Sequence, residues 1–463
     1  MKRIKTNLEV LSEQELLLIH DSALKILSEI GMKVPNNELL QMCIDSGCIV
    51  ETESTLKIPI KIMEQFIEKM REKAPHKISE DAHSVYGYMS TQVTIVDYMT
   101  NERRYGIRDD NLKCIKLVDS LKNIPVAGAA VVPSDVPYAI ADVVSIADIQ
   151  KYSAKPGGTY ILSPVGAKYI QLINELLDIR GGYLLESISP LSFKEDTLEM
   201  ALEFARKKGG LWIAPMAMSS ATAPVTAAGT LTLETAEVLG SCFLVNLMTG
   251  SYPLFSASCH SVDPKTMLCS FGSPNQALFA IASGQLARFY GIQGGCNTAL
   301  TDALTLDFQG GFEKGVTAAL SSLSGLAGIG CQGIVGADQG FSCEQLVIDN
   351  EWLGYLNYIT EGFEVSEEFI GFDTIKEVGI AGNFLGEEHT VKHMRDSYWV
   401  SDIFNRYDWS NWLREGGKTV TDQAHEFVEQ ATVGYKEMEP KLDSDTCKEL
   451  DKIVSAAYKE VEK

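Results

Sequence analysis

The stretch GTYILSPVGAKYIQLINELLDIRGGYLLESISP, residues 158–190, contains two short apolar runs separated by a segment with helical spacing. Apolar runs of this length, bounded by glycine and proline, are typical of buried strands. A helix between two such strands is the usual connection between parallel strands. The stretch therefore predicts an α/β fold.

The same alternation of strand and helix continues over residues 124–390. The predicted strands are 126–132, 158–164, 183–190, 211–218, 252–258, 290–297, 329–337 and 378–386. Eight strands with seven intervening helices match the size of a closed (β/α)8 barrel, and we predict this TIM barrel fold. An open doubly wound sheet is the alternative, but no GxGxxG turn follows the first strand.

The segments before and after the predicted barrel have different sequence patterns. Residues 1–123 predict a cap of helices and one β-hairpin, with Ser12 and Glu15 as a capping box and Gly31 as a helix stop. The barrel is expected over 124–404. Residues 405–463 are charged and predict a helical C-terminal extension.

Charge and cysteine usage exclude several classes of protein. The 62 acidic and 40 basic residues give a net charge of −22, which disfavours nucleic acid and anionic membranes as partners. No CxxC pair occurs among the ten cysteines, so zinc-ribbon and thioredoxin sites are not expected. The N-terminus lacks a signal peptide and no apolar run reaches the roughly 20 residues that span a bilayer, so we expect a cytoplasmic protein.

The glycine-rich stretch 294–346 contains the main catalytic candidates. Asp302 follows a predicted strand end, where barrel enzymes place their chemistry. Gln309 and Glu313 lie one helical turn apart on the same face. The alternative is that Glu313 and Lys314 belong to a solvated helix face.

Other polar residues near strand ends or in the cap are candidates for substrate binding. They are Asp97, Tyr98, His260, Gln332 and His389. Each also has a structural interpretation, such as a surface hairpin, a capped loop or a packed histidine. His389 and His393 have the i,i+4 spacing of a zinc-binding pair. No third ligand is evident, so no metal site is predicted.

Several longer motifs together resemble the trimethylamine methyltransferase family of corrinoid-dependent enzymes. They are LSEQELLLIHDSALKILSEIGMKV (11–34), TIVDYMTNERR (94–104), APMAMSSATAPVTAAGTLTLETAEVLG (214–240), TDALTLDFQGGFEKG (301–315), SCEQLVIDNE (342–351) and AGNFLGEEHTVKHMRDSYW (381–399). The resemblance covers nearly the whole chain.

This resemblance implies a barrel enzyme that passes a methyl group to the Co(I) corrinoid of a separate small protein. The chain itself would bind no cofactor. Gly333 and Gly336 align with the region where the best-known members carry pyrrolysine, and we expect them to face the corrinoid. No non-standard residue is present, so the chain resembles the branch without pyrrolysine, which demethylates quaternary amines such as glycine betaine, proline betaine or carnitine.

The chemistry of quaternary amines fits that branch. A quaternary nitrogen leaves as a neutral tertiary amine, so positioning in a site that stabilises a cation is sufficient. Arginines 103, 104, 288 and 395 are possible contacts for a substrate carboxylate. We expect a small cationic substrate, a corrinoid-binding protein as partner, and a homo-oligomer. The alternatives are a metal-dependent barrel hydrolase and a non-catalytic betaine-binding subunit.

Overall fold

The computed structural model describes residues 8–73, 91–326, 328–330 and 332–462 of the 463-residue chain. The helices are α1 (Glu13–Lys25), α2 (Asn37–Asp45), α3 (Ile60–Lys73), α4 (Arg108–Asp119), α5 (Ala141–Tyr152), α6 (Pro164–Leu176), α7 (Glu195–Arg206), α8 (Ala227–Thr249), α9 (Pro274–Phe289), α10 (Phe308–Leu323), α11 (Cys343–Glu361), α12 (Glu367–Ile370), α13 (Phe372–Val378), α14 (Glu388–His393), α15 (Trp409–Arg414), α16 (Val420–Ala431) and α17 (Ser444–Val461).

The strands are short. They are β1 (Met32–Lys33), β2 (Ile49–Val50), β3 (Thr55–Lys57), β4 (Thr94–Val96), β5 (Arg103–Tyr105), β6 (Ala127–Gly128), β7 (Gly157–Gly158), β8 (Gly182–Leu185), β9 (Gly210–Ile213), β10 (Met218–Ser219), β11 (Phe255–Ala257), β12 (His260–Val262), β13 (Cys269–Ser270), β14 (Gly294–Cys296), β15 (Gly328–Ile329), β16 (Ile334–Val335) and β17 (Gly340–Phe341).

The N-terminal cap has the predicted helices and hairpin. The Ser12 side chain accepts from the backbone of Glu15, whose side chain reaches back, so the predicted capping box is confirmed. The chain then turns at Gly31, which has a φ of 84°. Strands β4 and β5 pair antiparallel, as the predicted hairpin requires. Residues 84–90 of that predicted hairpin lie outside the described residues.

Seven of the eight predicted strands contain or adjoin a parallel strand. Their parallel pairs are β6 with β7, β8 with β9, β11 with β14, and β14 with β15. The helices between them confirm the α/β class. Among the described residues, however, these ladders belong to separate sheets and do not join into a closed barrel.

The predicted strand over residues 378–386 is wrong. Helix α13 ends at Val378, and Gly379 and Ala381 follow with φ values of 67° and 64°. Left-handed residues turn the chain and break the extended geometry of a strand. Ile380 is fully exposed, so this apolar run is not a core strand of the chain.

One sheet brings the cap to the glycine-rich region. Strand β17 pairs with β16 on one side and runs parallel to β4 on the other, so the order is β16-β17-β4-β5. Gly340 is opposite Thr94 in this sheet. The hairpin of the cap therefore lies beside residues 334–341.

Helix α8 is the central helix of the core. By length and composition it is the one helix in the described chain that could cross a membrane, and 78% of its apolar window is buried inside the protein. It buries two carboxylates. Glu234 accepts from the backbone of Ala217 and Ser258, and Glu237 accepts from Ser189 and Leu191.

Candidate active site

Asp302 is the centre of a network between two loops. Its Oδ1 accepts from the Phe271 backbone at 2.7 Å, and its Oδ2 accepts from the Ser270 hydroxyl at 2.6 Å and the Gly272 backbone at 3.1 Å. The loop after β14 is thereby tied to the loop after β13.

Glu313 and Gln309 join the same network, so the three predicted catalytic residues lie together. Glu313 Oε2 accepts from the Thr301 hydroxyl at 2.6 Å and the Asp302 backbone at 2.9 Å, and Oε1 accepts from Gln309 at 2.8 Å. Gly272 fits against Glu313, because a Cβ there would lie 2.1 Å from Oε2. These contacts favour a positioning role for Glu313 and Gln309, and their catalytic roles stay predictions.

His260 lies on β12, completely buried, with its ring centroid 4.4 Å from that of Phe271. Burial lowers the pKa of the imidazole to about 4, although Gln276 and Asp302 nearby act in the opposite direction. The side chain is therefore neutral at physiological pH. Its placement next to the Asp302 network supports the predicted site, while substrate contact stays a prediction.

Asp338 is a candidate that sequence reasoning missed. It lies in the turn between β16 and β17, where Gly336, Ala337 and Asp338 have φ values of 66°, 55° and 60°. Consecutive left-handed residues are strained, and such strain concentrates at functional sites. Backbone bonds from Gly336 to Ala303 and from Ala337 to Thr301 hold the turn against the Asp302 loop.

The Asp338 carboxylate is held in a poorly solvated position. Its Oδ1 accepts from Gln92 at 2.9 Å. Burial raises the pKa of Asp338 to about 6, against the effects of Gln92 and Lys314. Burial raises the pKa of the Cys269 thiol to about 12, and the carboxylates of Asp302 and Asp338 add to this effect. A nearby cation would stabilise the ionised form of Asp338.

A buried ion pair contacts the chain just before this turn. Lys314 Nζ lies 3.0 Å from Asp349 Oδ2 and donates to the Ile334 carbonyl. Asp349 also accepts from the Gly333 backbone at 2.7 Å. Both side chains are almost fully buried, so the interpretation of Lys314 as part of a solvated face is wrong. The pairing joins residues 35 positions apart and leaves no local sequence signal.

Arg103 is the predicted anion contact that lies nearest to this turn. Its guanidinium occupies the space beside Gly336, where a Cβ would lie 1.8 Å from it, and it donates weakly to the Leu304 carbonyl at 3.4 Å. Arg104 is instead committed to Asp110 through two bonds of 2.7 Å. Arg288 donates to backbone carbonyls.

Gly333 and Gly336 have packing reasons for being glycine. Both have left-handed φ values, and a Cβ at Gly333 would lie 2.5 Å from the Phe341 ring. Gln332 is buried next to them and donates to the Gly330 carbonyl at 3.4 Å. Contact of these residues with a corrinoid or substrate stays a prediction.

Three predicted substrate-binding residues make structural contacts outside this network. Asp97 caps the hairpin turn by accepting from Thr100, which lowers its pKa. The Tyr98 ring stacks on His425 at 4.2 Å and its hydroxyl donates to Asp422. His389 contacts the Glu368 carbonyl on α12. These contacts give each of the three residues a structural role, and substrate binding by them stays a prediction.

Helix α14 carries the predicted histidine pair. The rings of His389 and His393 are 4.6 Å apart. In the described part of the chain, no group of three or more His, Cys, Asp or Glu side chains is placed to hold a metal ion. All nine described cysteines are free thiols, and eight of them are buried.

Comparison with known proteins identifies the family. The profile described as "Trimethylamine methyltransferase (MTTB)" matches residues 1–461, so the chain belongs to this family and is a methyltransferase. The chain is 26% identical to the glycine betaine methyltransferase of Desulfitobacterium hafniense (strain Y51), over 100% of this chain and 99% of that protein. This likeness supports the predicted branch without pyrrolysine.

Trimethylamine methyltransferases are also similar to this chain in sequence. That of Methanosarcina barkeri (strain Fusaro / DSM 804) is 27% identical over 98% of this chain and 96% of its own length. The crystal structure of the Methanosarcina barkeri monomethylamine methyltransferase MtmB shares the fold, with a TM-score of 0.51 at 11% identity, covering 93% of this chain and 95% of that chain. Family membership gives no support to the metal-dependent hydrolase.

Proposed function

We propose that this enzyme transfers a methyl group from a betaine, a quaternary amine that also carries a carboxylate, to the Co(I) corrinoid of a separate protein. The observation that carries the proposal is the full-length likeness to a glycine betaine methyltransferase. The site adds two features that suit a zwitterion: the carboxylates of Asp302 and Asp338, and the Arg103 guanidinium beside Gly336, whose bond to the Leu304 carbonyl is long at 3.4 Å.

The reaction needs no proton transfer from the protein. The bond between the methyl carbon and nitrogen breaks, and its electron pair stays on nitrogen. The electron pair of the cobalt substrate forms the new bond to the methyl carbon. Since a quaternary nitrogen leaves as a neutral tertiary amine, the enzyme contributes positioning and a cation-stabilising environment.

In this proposal, one group of side chains binds the ammonium end of the betaine and another binds its carboxylate. The carboxylates of Asp338 and Asp302, with the Phe271 ring, stabilise the ammonium group. Arg103 binds the carboxylate of the substrate, as a guanidinium does well. Charge falls during the transfer, so the poorly solvated setting that raises the pKa of Asp338 also favours the transition state.

The remaining expectations belong to the same proposal. The parallel strand pairs are parts of a (β/α)8 barrel whose strand ends carry the site. The corrinoid arrives on its own small protein, and the chain binds no cofactor of its own. We place the enzyme in the cytoplasm, as a homo-oligomer, without nucleic acid or membrane partners.

A spectroscopic assay tests the function. The purified enzyme is mixed with a reduced corrinoid protein and with glycine betaine, proline betaine, carnitine, choline or trimethylamine, and the loss of the Co(I) spectrum is followed. We expect methylation with at least one betaine and none with trimethylamine. Binding of a betaine without any spectral change would instead indicate the non-catalytic subunit, and turnover of trimethylamine would contradict the proposal.

A further inference from the structure

Cys114 and Cys343 bring two thiols into contact inside the core. Their sulfur atoms lie 3.4 Å apart, although the two residues are 229 positions apart in the chain. Cys114 is on α4 and is fully buried, and Cys343 is the first residue of α11 and is 6% exposed. Both belong to the second hydrophobic core cluster. Neither thiol takes part in the proposed betaine site.

The two helices that carry this pair also hold the two sides of the candidate site. On α4, Asp110 accepts two bonds from Arg104, which is the neighbour of Arg103 on β5. Cys343 lies two residues after the end of β17, the strand that follows the turn at Asp338. A change in the spacing of α4 and α11 therefore reaches Arg103 through one helix and the Asp338 turn through the other.

We propose that Cys114 and Cys343 are a reversible redox pair, which hydrogen peroxide joins in a disulfide that draws α4 towards α11 and slows methyl transfer. In this step two thiols and one molecule of peroxide give one disulfide and two molecules of water. The two S–H bonds and the O–O bond break and the S–S bond forms, so sulfur is oxidised and the peroxide oxygen is reduced. The inference does not depend on which amine is the substrate.

Burial decides the order of the two oxidation steps. Cys343 is the partner that keeps some exposed surface, so peroxide attacks it first and forms a sulfenic acid. The Cys114 sulfur is already in contact and then displaces the hydroxyl group as water. The hydrogen bond to Cys343 and burial raise the pKa of the Cys114 thiol, although Lys113 acts in the opposite direction. Because the thiolate is the reactive form, the pair oxidises slowly and responds to sustained exposure.

The disulfide changes the spacing of the two helices. Since an S–S bond is about 2.05 Å long, sulfur atoms that lie 3.4 Å apart must approach by roughly 1.4 Å. Side-chain rotation takes up part of this movement, and the close packing of the core passes the rest to α4 and α11. A displacement of about 1 Å in a catalytic site can lower a rate about 100-fold. The bond also closes a long loop, which stabilises the fold.

Treatment of the purified full chain with hydrogen peroxide tests the proposal. After quenching, unfolding and alkylation with N-ethylmaleimide, the intact mass should show two fewer alkylated thiols among the ten cysteines. Peptide mapping should find Cys114 joined to Cys343, and dithiothreitol should separate them. The oxidised chain should have a higher Tm and slower hydrogen exchange in α4 and α11. These measurements need neither a betaine nor the corrinoid protein, so they are independent of the proposed function.

A cysteine variant links the bond to activity, with peroxide removed before each assay. The unmodified chain should lose about 10- to 100-fold in kcat/KM on oxidation and recover with dithiothreitol. Cys343→Ser cannot form the bond and should keep its rate, and Cys343→Ala repeats the test if the serine variant does not fold. Cys447→Ser is the matched control: Cys447 is 8% exposed and its thiol donates to the Leu442 carbonyl, so this variant should respond like the unmodified chain.

Several results would overturn the redox pair. They are alkylation of every cysteine after peroxide treatment, a sulfinic acid at Cys343 with Cys114 still free, and a joined peptide with unchanged rate and unchanged exchange. An equal loss of rate in Cys343→Ser and the unmodified chain would also overturn it, because damage elsewhere would then explain the loss. If neither the reduced nor the oxidised chain methylates the corrinoid protein with any amine, the proposed function fails, and the mass measurement still decides whether the pair forms.

Discussion

His260 is neutral because burial favours the uncharged imidazole. Its pKa in the folded chain is about 4, below the ordinary value of 6.5, so the unfolded chain binds more protons between these two pH values. The stability that depends on the neutral ring is present above pH 6.5 and is lost as the pH falls towards 4. A shift of this size corresponds to about 3 kcal/mol.

The substitution His260→Gln should therefore reduce the acid sensitivity of the fold. We expect the free energy of unfolding to fall less between pH 6.5 and 4 than in the unmodified chain, by up to about 3 kcal/mol. Urea unfolding at several pH values measures this. Phe271→Leu is the control, since it disturbs the same packing but keeps the imidazole, and it should lower stability by a similar amount at each pH. An equal pH dependence in His260→Gln and the unmodified chain would contradict the prediction.

Arg103 tests how the proposed betaine site distinguishes its substrates. Arg103→Gln should raise the KM for glycine betaine about 10-fold or more, since a hydrogen bond to a charged group contributes roughly 1.5–3 kcal/mol. The apparent affinity for choline, which has no carboxylate, should change little. Competition binding and steady-state rates with the corrinoid protein measure both values.

The control for Arg103 is an arginine far from the site. Arg180 precedes β8 and donates to the Lys208 carbonyl, so Arg180→Gln should leave the KM values unchanged. A loss of kcat with unchanged KM in Arg103→Gln would show that Arg103 orders the Gly336 turn and does not bind the carboxylate.

Helix and strand prediction succeeded where the signal is local. The capping box at Ser12 and Glu15 depends on residues within one turn of each other. Local signals also placed seven strands. The prediction of a strand at 378–386 failed because apolar content alone does not distinguish a core strand from an exposed segment.

The long-range contacts that hold the site in place could not be predicted from local signals. Lys314 on α10 and Asp349 on α11 are each ordinary charged residues in a helical pattern, and only the packing of the two helices makes them a buried pair. The same is true of Asp338 and Gln92, which are 246 positions apart. Proximity of Asp302, Gln309 and Glu313 was predictable because they belong to one loop and one helix.

The pair between α10 and α11 gives a prediction about these elements. Lys314→Met leaves the Asp349 carboxylate buried without its cation, which typically costs 3–5 kcal/mol. The double variant Lys314→Met/Asp349→Asn removes both charges, so it should be less destabilised than the sum of the two single variants. A double-mutant cycle from urea unfolding measures this coupling.

A surface pair provides the control for that cycle. Lys113 and Glu429 are 31% and 59% exposed, so Lys113→Met should cost less than about 1 kcal/mol. Additive effects of Lys314→Met and Asp349→Asn would show that the two buried charges do not stabilise each other.

At the scale of the whole molecule, the C-terminal residues are part of the core. We predicted residues 405–463 as an extension, and they are helical. Leu450 and Ala457 of α17 are fully buried in the larger core cluster, against α5 and α6. Helix α16 packs on α11 and buries Ala424 and Val428 in the second cluster. The C-terminal helices thus contact both halves of the core, which amphipathic spacing alone does not indicate.

This arrangement predicts that a change in α17 destabilises the entire chain. Leu450→Ala removes a fully buried side chain and should lower the free energy of global unfolding by about 2–5 kcal/mol. Calorimetry should show one transition moved to lower temperature, and hydrogen exchange should become faster in α5 and α6 as well as in α17. Val433→Ala, at a residue 74% exposed, is the control and should shift the transition very little. If Leu450→Ala instead accelerates exchange in α17 alone and leaves the main transition in place, then the C-terminal helix is an appendage that the rest of the fold does not need.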